Sequence, residues 1–199
     1  MKKLLLLLLF IPVVSCQNVE VRKTYYESGE LKSTVNYIDD LKQGEEKYYY
    51  ESGELATTVN YVDGLKQGEY KFYYESTTWE GGQRVPGELK STVNYVDGLR
   101  QGEWKDYFES RGLKRTVNYV DGLRQGEQKF YWKSGELRGT VNYVDDLKQG
   151  EEKYYYESGE LKSTVNYVDD LEQGIWKYYY ESGELEFTEN YVDGVERKL

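Results

Sequence analysis

A nearly identical phrase recurs along the chain at an almost constant interval. Its Asn-Tyr pair occurs seven times, and the steps between copies are 24 residues except for one of 34: Asn36, Asn60, Asn94, Asn118, Asn142, Asn166 and Asn190. The long step contains ten extra residues, "TTWEGGQRVP" at 77–86. A fixed period of this length is typical of a repeat array, in which each unit contacts mainly its neighbours. The sequence therefore predicts one array of seven 24-residue units over residues 20–199, with an insert at 77–86, and not two domains.

Each unit has the composition of a β-hairpin. Tyr, Val and Thr are favoured on a pleated surface, and they flank a Ser-Gly dipeptide in most units. Ser-Gly and Asp-Gly are turn dipeptides, because glycine accepts a positive φ and aspartate tolerates it. Two strands per unit predict an all-β fold, namely a single-layer, curved antiparallel meander of about 14 strands.

Alternation of side chains along these strands predicts an aromatic face and a polar face. If Ser52 and Gly53 close a hairpin, Tyr50 lies opposite Leu55 across the two strands. The aromatic face then carries Tyr48, Tyr50, Leu55, Val59 and Tyr61. The polar face carries Lys47, Tyr49, Glu51, Glu54, Thr58 and Asn60.

The first sixteen residues have the pattern of a secretory leader. Two lysines precede an apolar run over residues 4–14, which is too short to span a bilayer. The sequence "VVSC" resembles a bacterial lipobox, which predicts a lipoprotein signal peptide at 1–15, a lipid on Cys16 and a short tether at 16–19. An ordinary signal peptide followed by an unmodified cysteine is the alternative. We expect a lipid-anchored protein of the cell envelope, facing the periplasm or the surface.

Composition excludes several classes of function. The chain has no histidine and a single cysteine, so Ser-His and Cys-His nucleophile pairs, the common zinc sites and a disulfide framework are ruled out. The net charge of −10 has the wrong sign for nucleic acid or anionic lipid headgroups. Close carboxylate pairs such as Glu51 and Glu54 recur at several hairpin tips, which indicates solvation of a turn and not a glycosidase site. We expect no enzyme activity, no cofactor, no metal and no nucleic-acid partner.

Two stretches carry a resemblance to a known family. "GEWKDYFES" at 102–110 and "GIWKYYYESGEL" at 174–185, each followed by "NYVDG" or a near copy, are similar to the variant MORN repeat. The resemblance covers residues 20–199 and extends to the YwqK family of toxin–antitoxin antitoxins. It implies a protein that binds and neutralises a toxin, or a membrane-associated protein scaffold, and it implies no catalytic residues. A lipoprotein leader is a departure from a cytoplasmic antitoxin, so it argues against neutralisation of a self-made cytoplasmic toxin and leaves an envelope immunity protein open.

Candidate binding residues are expected where the copies differ. Two of these places are the insert and the Arg111-Gly112 tip. The third is one position of the aligned repeats, here called a column, and this variable column is filled in turn by Arg22, Glu46, Tyr70, Trp104, Gln128, Glu152 and Trp176. Trp and Arg are enriched at interface hot spots, so the candidate partner-binding residues are Trp79, Arg84, Trp104, Arg111 and Trp176. The alternative for the insert is that a hairpin tip simply tolerates extra residues.

The leading functional hypothesis is a protein-binding scaffold in the cell envelope, with a toxin as one class of partner. The alternative is a glycan-binding module, because tyrosines on the polar face offer rings for stacking on sugars. This candidate aromatic ladder contains Tyr25, Tyr49, Tyr73, Tyr107, Tyr131, Tyr155 and Tyr179. These rings are otherwise explained as cross-strand cover of the sheet surface.

Overall fold

A computed structural model describes residues 18–76, 79–80, 83–84 and 87–198, and all of its regular elements are strands. The predicted leader, with Cys16, lies outside these residues. Within the described part of the chain, no helix is long and apolar enough to cross a membrane. The strands are β1 (Glu20–Tyr25), β2 (Leu31–Ile38), β3 (Leu41–Tyr49), β4 (Leu55–Val62), β5 (Leu65–Tyr73), β6 (Trp79–Glu80), β7 (Gln83–Arg84), β8 (Leu89–Val96), β9 (Leu99–Tyr107), β10 (Leu113–Val120), β11 (Leu123–Arg124), β12 (Gly126–Tyr131), β13 (Leu137–Val144), β14 (Leu147–Lys148), β15 (Gly150–Tyr155), β16 (Leu161–Val168), β17 (Leu171–Tyr179), β18 (Leu185–Val192) and β19 (Val195–Arg197).

Seventeen of these strands form one open antiparallel meander, while β6 and β7 form a separate two-stranded hairpin. Two repeat strands are each divided into two parts. Strand β10 pairs with both β11 and β12, and β13 pairs with both β14 and β15. The prediction of an all-β meander is confirmed. The higher strand count comes from these two divisions and from β19, which follows the seventh unit.

The Asp-Gly turns adopt the geometry that their residues favour. At Asp63 and Gly64 the φ angles are 50° and 79°, and positive values at both central positions define a type I′ turn. The turn is tied to the preceding unit, because Gly64 N donates to Lys42 O at 2.9 Å and Asp63 N donates to Gln43 Oε1 at 2.8 Å. Equivalent links recur along this edge of the sheet, so consecutive units are joined by side chains as well as by strand pairing.

The opposite edge is formed by the Ser-Gly tips, where one sequence-based expectation is wrong. Leu55 pairs with Tyr49 and not with Tyr50, because Tyr50 N donates instead to Glu54 O at 2.7 Å within the tip. Ala56 is then left as a bulge between Leu55 and Thr57, which pairs with Tyr48. Because of this extra residue, the strand pairing next to the tip is shifted by one residue from the pairing that simple alternation of side chains predicts.

The insert leaves the strand register unchanged. Tyr73 pairs with Leu89, as Tyr49 pairs with Leu55, and Tyr74 N donates to Glu88 O at 2.8 Å across the base of the insert. The chain returns through Gly87, where an added Cβ would lie 1.7 Å from Tyr74 O. Only glycine fits this close approach of two backbones.

The core is a row of valines along one face of the single sheet. Val35, Val59, Val93, Val117, Val141 and Val165 are at most 7% exposed. The pairings place Val59 opposite Glu46, and Tyr48 opposite Thr57, on this face. On the polar face Lys47 pairs with Thr58, and its Nζ lies 3.0 Å from Glu45 Oε2. The sequence predicts Leu55 on the aromatic face, but the bulge pairs it with Tyr49 of the polar face. Beyond the bulge the predicted separation of an aromatic from a polar face holds, and large side chains on the core face cover the valines in place of a second layer.

Candidate functional site

The fourth unit contains a paired exception to the repeat. Asp106 occupies a repeat position that is aromatic in the second, third, fifth, sixth and seventh units. Arg115 occupies a position that is mainly Ser or Thr in the other units. The two residues are opposite each other across β9 and β10. Arg115 Nε donates to Asp106 Oδ2 at 2.7 Å, and Trp104 Nε1 donates to Asp106 Oδ1 at 2.7 Å. An aromatic–hydroxyl pair has thus been replaced by an ion pair that opens the core face at this place.

The fifth unit contributes a glycine where its neighbours have side chains. Gly139 lies opposite Phe130 on one side and opposite Tyr154 on the other. An added Cβ would lie 2.8 Å from Lys153 O and 2.9 Å from Tyr154 Cδ1. The ring of Tyr154 therefore rests directly on the backbone of Gly139, and Phe130 and Tyr154 become the walls of a depression.

The hairpin tips beside this depression lack a hydrogen bond that other tips form. The tip tyrosine hydroxyl donates to the carbonyl 23 or 33 residues later at 2.6–2.9 Å, as seen at Tyr26, Tyr50, Tyr74 and Tyr156. Phe108 and Trp132 occupy the same column and have no hydroxyl. Among the described residues, the buried Trp132 Nε1 has no hydrogen-bond partner. Two successive links between units are therefore missing.

The bulge residue of most units places a cation over the tip ring. Lys114 Nζ lies 5.9 Å from the centroid of Phe108, and Arg138 Cζ lies 4.8 Å from the centroid of Trp132. Both cationic side chains belong to exposed residues. Across the described ranges, neither forms a salt bridge.

These features meet in one cleft of about 440 Å³, which we name the cationic cleft. It is lined by Asp106, Phe108, Lys114, Arg115, Phe130, Tyr131, Arg138 and Tyr154. Because Arg115 is paired with Asp106, two cations of the cleft have no acidic partner among the described residues, in a chain whose net charge is −10. The volume lies within the usual range of ligand pockets. Chemically, the cleft suits an anionic group attached to an apolar or aromatic body.

Tyr154 contributes a neutral ring to the cleft. Burial and the carboxylate of Glu152 raise its pKa to about 12, although Arg138 acts in the opposite direction. Its hydroxyl donates to Glu152 Oε1 at 2.9 Å. At neutral pH the phenol therefore stays protonated and does not oppose an incoming anion.

The variable column lies on the core face, against the valines. Glu46 and Glu152 are 2% and 4% exposed, and each carboxylate is paired with a lysine four residues earlier, at 2.7 and 3.0 Å. Trp104 and Trp176 are half-buried in the same column. Their rings lie 5.9 Å from Tyr119 and 4.7 Å from Tyr191, centroid to centroid. Much of the variation in this column therefore serves packing beside the valine row.

The structure separates the other predicted binding residues. Trp79 and Arg84 pair across the two-stranded hairpin of the insert, and the insert residues outside β6 and β7 are not among the described ones. Arg111 has a φ of 69° at its tip and forms an ion pair with Glu88 of the preceding unit. In the tyrosine ladder, Tyr25 is 57% exposed and the other members are half-buried.

Sequence reasoning missed the cationic cleft, apart from Tyr131. The sequence does contain a signal for the cleft, because Asp106, Arg115 and Gly139 each differ from the residues at the same position of the other repeats. What alternation alone did not reveal is that these departures are adjacent on one face.

Comparison with known proteins identifies the repeat. A family model described as "MORN repeat variant" matches residues 21–39, 42–63, 124–145, 148–169 and 172–193, which together are more than half of the chain. No curated protein matches the sequence.

Two solved structures show slight similarity. One, described as "Crystal structure of GtfA/B complex bound to UDP and GlcNAc", is 16% identical with a TM-score of 0.22; the match covers 52% of this chain and 21% of that chain. The other, a porin-like protein from Bacteroides uniformis, is 9% identical with a TM-score of 0.19, over 90% of this chain and 92% of that chain. Neither likeness bears on fold or function. The segments matched by the family model each span one hairpin unit and end at the following aspartate turn, and the chain therefore belongs to the MORN repeat variant family.

Proposed function

We propose that this chain is a non-catalytic scaffold of the bacterial cell envelope that binds a protein partner through the cationic cleft. One observation carries the proposal: Lys114 and Arg138, which have no acidic partner in the part of the chain that the structure describes, flank an aromatic cleft in an otherwise acidic chain. The units around the cleft keep the repeat's strand pairing, so the departures from the repeat have altered the surface and not the framework.

The occupant that fits is a carboxylate carried beside an aromatic or large apolar side chain of the partner. Each exposed cation supplies donors for a carboxylate, and Arg138 offers the forked geometry that binds two carboxylate oxygens. Phe108, Phe130 and Tyr154 supply ring surface for the apolar part. A free chain terminus or an acidic residue next to an aromatic one has this chemistry.

Attachment to the membrane is assigned to Cys16. A diacylated cysteine carries two acyl chains, which give stable anchoring where one chain is marginal. Replacement by serine, Cys16→Ser, is expected to move the protein from the detergent phase to the aqueous phase in detergent-phase partitioning. Equal partitioning of both forms would remove the anchor from the proposal.

The resemblance to the YwqK antitoxins suggests a toxin as the partner. In the envelope, this would make the chain an immunity protein against a toxin that crosses or reaches that compartment. Co-expression of the chain with candidate toxins from its own genomic neighbourhood, scored by growth, separates this role from a general scaffold.

Glycan binding is the second candidate function. It draws on the tyrosine ladder of the polar face, which runs the length of the array beside Glu–Lys pairs such as Glu103 and Lys105, 2.9 Å apart. Substitution of Tyr107 and Tyr131 by alanine, with folding intact, would weaken glycan retention if this function is correct. Because Tyr131 also lines the cationic cleft, Tyr49→Ala and Tyr73→Ala form the set that leaves the cleft untouched.

The deciding experiment compares two charge-matched double variants. Lys114→Ala with Arg138→Ala removes the cations of the cleft. Lys90→Ala with Lys162→Ala removes the equivalent cations over the rings of Tyr74 and Tyr156, outside it.

Each variant is cross-linked in native envelopes and is also titrated with a fluorescent peptide that ends in phenylalanine, with its carboxylate free or amidated. We expect the cleft variant alone to lose the cross-linked partner and the free-carboxylate peptide. Equal binding by both variants, or equal binding of the amidated peptide, would refute the assignment of the cleft.

A further inference from the structure

The two outermost strands of the sheet correspond to two parts of one repeat strand. Glu20–Tyr25 aligns, unit by unit, with Gly126–Tyr131 and Gly150–Tyr155, and all three strands are six residues long. Val195–Arg197 aligns with the short preceding strands Leu123–Arg124 and Leu147–Lys148. The division seen inside the array at β11/β12 and β14/β15 is therefore reproduced by β19 at one end and β1 at the other.

Among the described strands, each end of the sheet also presents an open strand edge. Strand β19 pairs with β18 only over residues 190–192, so residues 185–189 of β18 have no outer partner among the described strands. In the interior, the matching edge of β16 is covered by β17, with Ser163 opposite Tyr178 and Thr164 opposite Lys177. The residues of β1 in the same columns as Tyr178 and Lys177 are Thr24 and Lys23.

The sizes of the side chains at the two ends are complementary. In the first six units, the second-strand column contains Ser, Thr or Gly, except for Arg115. The facing first-strand column of the next unit is aromatic, except for Asp106. The seventh unit has Phe187 in the small column, 44% exposed, and the first unit has Thr24 in the aromatic column. If β1 of a second copy lay beside β18, Phe187 would face Thr24, which restores one large and one small residue.

The charges of the side chains at the two ends are also complementary. Glu189 replaces the core valine, and from the described residues of its own chain it accepts only long hydrogen bonds, from the hydroxyls of Tyr178 at 3.4 Å and Tyr191 at 3.3 Å. In the β16–β17 pair, the equivalent Val165 faces the bulged stretch that contains Trp176. The residue of β1 in the column of Trp176 is Arg22, which in its own chain forms exposed ion pairs with Glu20 at 2.8 Å and Asp40 at 2.7 Å. These pairs would have to be shared with, or exchanged for, Glu189 of the other copy. A second copy would therefore bring an arginine to the one carboxylate that occupies the valine row.

The row of hydrogen bonds donated by the tip tyrosine hydroxyls would continue across the same contact. Tyr156 donates its hydroxyl to Tyr179 O of the following unit at 2.8 Å. Tyr180 is in the column of Tyr156 but is 50% exposed, and the corresponding acceptor on a second copy is Tyr25 O.

We infer that this chain associates end to end with a second copy of itself, β1 of one copy completing the strand that β19 of the other begins. The contact is heterologous, because different surfaces meet, so it repeats from copy to copy and does not close as a two-fold dimer. The inference is independent of the cationic cleft, which lies in the middle of the array. It uses charge, size and backbone pairing at the ends alone.

Sedimentation velocity of the full-length protein in detergent, over a concentration series, tests the inference. We expect concentration-dependent species larger than a monomer, and roughly tenfold or more weaker association for Glu189→Arg and for Arg22→Glu, since each places like charges together. The double variant, with both charges reversed, is expected to recover association. Circular dichroism of each variant verifies folding.

A second measurement does not depend on the charge reversals. In a Cys16→Ser background, copies bearing Lys23→Cys are mixed with copies bearing Thr188→Cys under oxidation, and the mixed disulfide is expected to exceed both self-pairings. A native protein that stays monomeric throughout, a reversed pair that does not recover, or a mixed disulfide no more frequent than the self-pairings would overturn the inference.

Discussion

The tyrosine hydroxyls at the hairpin tips provide a test of how the units are held together. Tyr50 donates to Tyr73 O at 2.7 Å, and burial raises the pKa of the Tyr50 hydroxyl, which indicates that it is partly withdrawn from water. Tyr50→Phe removes this donor and leaves the ring in place. Phe108→Tyr makes the reverse change in a unit whose corresponding acceptor is Tyr131 O.

The expected magnitudes follow from the energetics of a neutral hydrogen bond. Such a bond contributes about 0.5–1.5 kcal/mol net, because folding exchanges it for a bond to water. We therefore expect Tyr50→Phe to lower the free energy of unfolding by about 1 kcal/mol. Phe108→Tyr is expected to raise it by up to the same amount, provided that the added hydroxyl reaches its carbonyl as its counterparts do.

Urea unfolding followed by circular dichroism, fitted with a nearest-neighbour description of the array, measures both changes. At a protein concentration at which the chain is monomeric, Tyr180→Phe is the matched control, because its ring is 50% exposed and its hydroxyl has no hydrogen bond among the described residues. The reasoning is refuted if Tyr50→Phe destabilises no more than Tyr180→Phe, or if Phe108→Tyr destabilises the array.

Three further predictions concern turns, core and pH. Asp40→Gly is expected to stabilise by about 0.5–1 kcal/mol in thermal unfolding, because it relieves a φ of 61° and the ion pair that it loses with Arg22 is exposed to solvent. Asp146→Gly should gain less, since its less exposed carboxylate accepts two hydrogen bonds from Arg124, at 2.9 and 2.7 Å. Val59→Ala should cost about 2 kcal/mol in urea unfolding because the side chain is 1% exposed, whereas Val62→Ala, at 43% exposed, should cost less than half of that. Since burial and a nearby carboxylate raise the pKa of Tyr154 to about 12, above about 10 in an unfolded chain, the folded protein holds this proton more tightly. Stability should therefore be full below about pH 10 and fall as the pH rises toward about 12, and a tyrosinate absorbance titration of Tyr154→Phe should lose one late-titrating group.

The sequence by itself determined the features that depend on local chemistry. The 24-residue period, two strands per unit and the Asp-Gly turns follow from glycine's tolerance of a positive φ and from the alternation of apolar residues. The strands on either side of the insert keep the register of the other units, because a hairpin tip accepts extra residues without changing it. Each of these features involves residues close together in the chain.

Tertiary structure decided what lies next to what between units. The bulge at Ala56 moved the tip by one residue, and no periodicity reveals such a shift, since a bulge leaves the spacing of the copies unchanged. The cationic cleft exists because Asp106 and Arg115 of one unit lie beside Phe130 and Gly139 of the next, a proximity set by strand pairing. The sequence shows which residues differ from the repeat, but only the register of the sheet shows that these residues are neighbours. Their proximity gives the surface of the cleft its charge and shape.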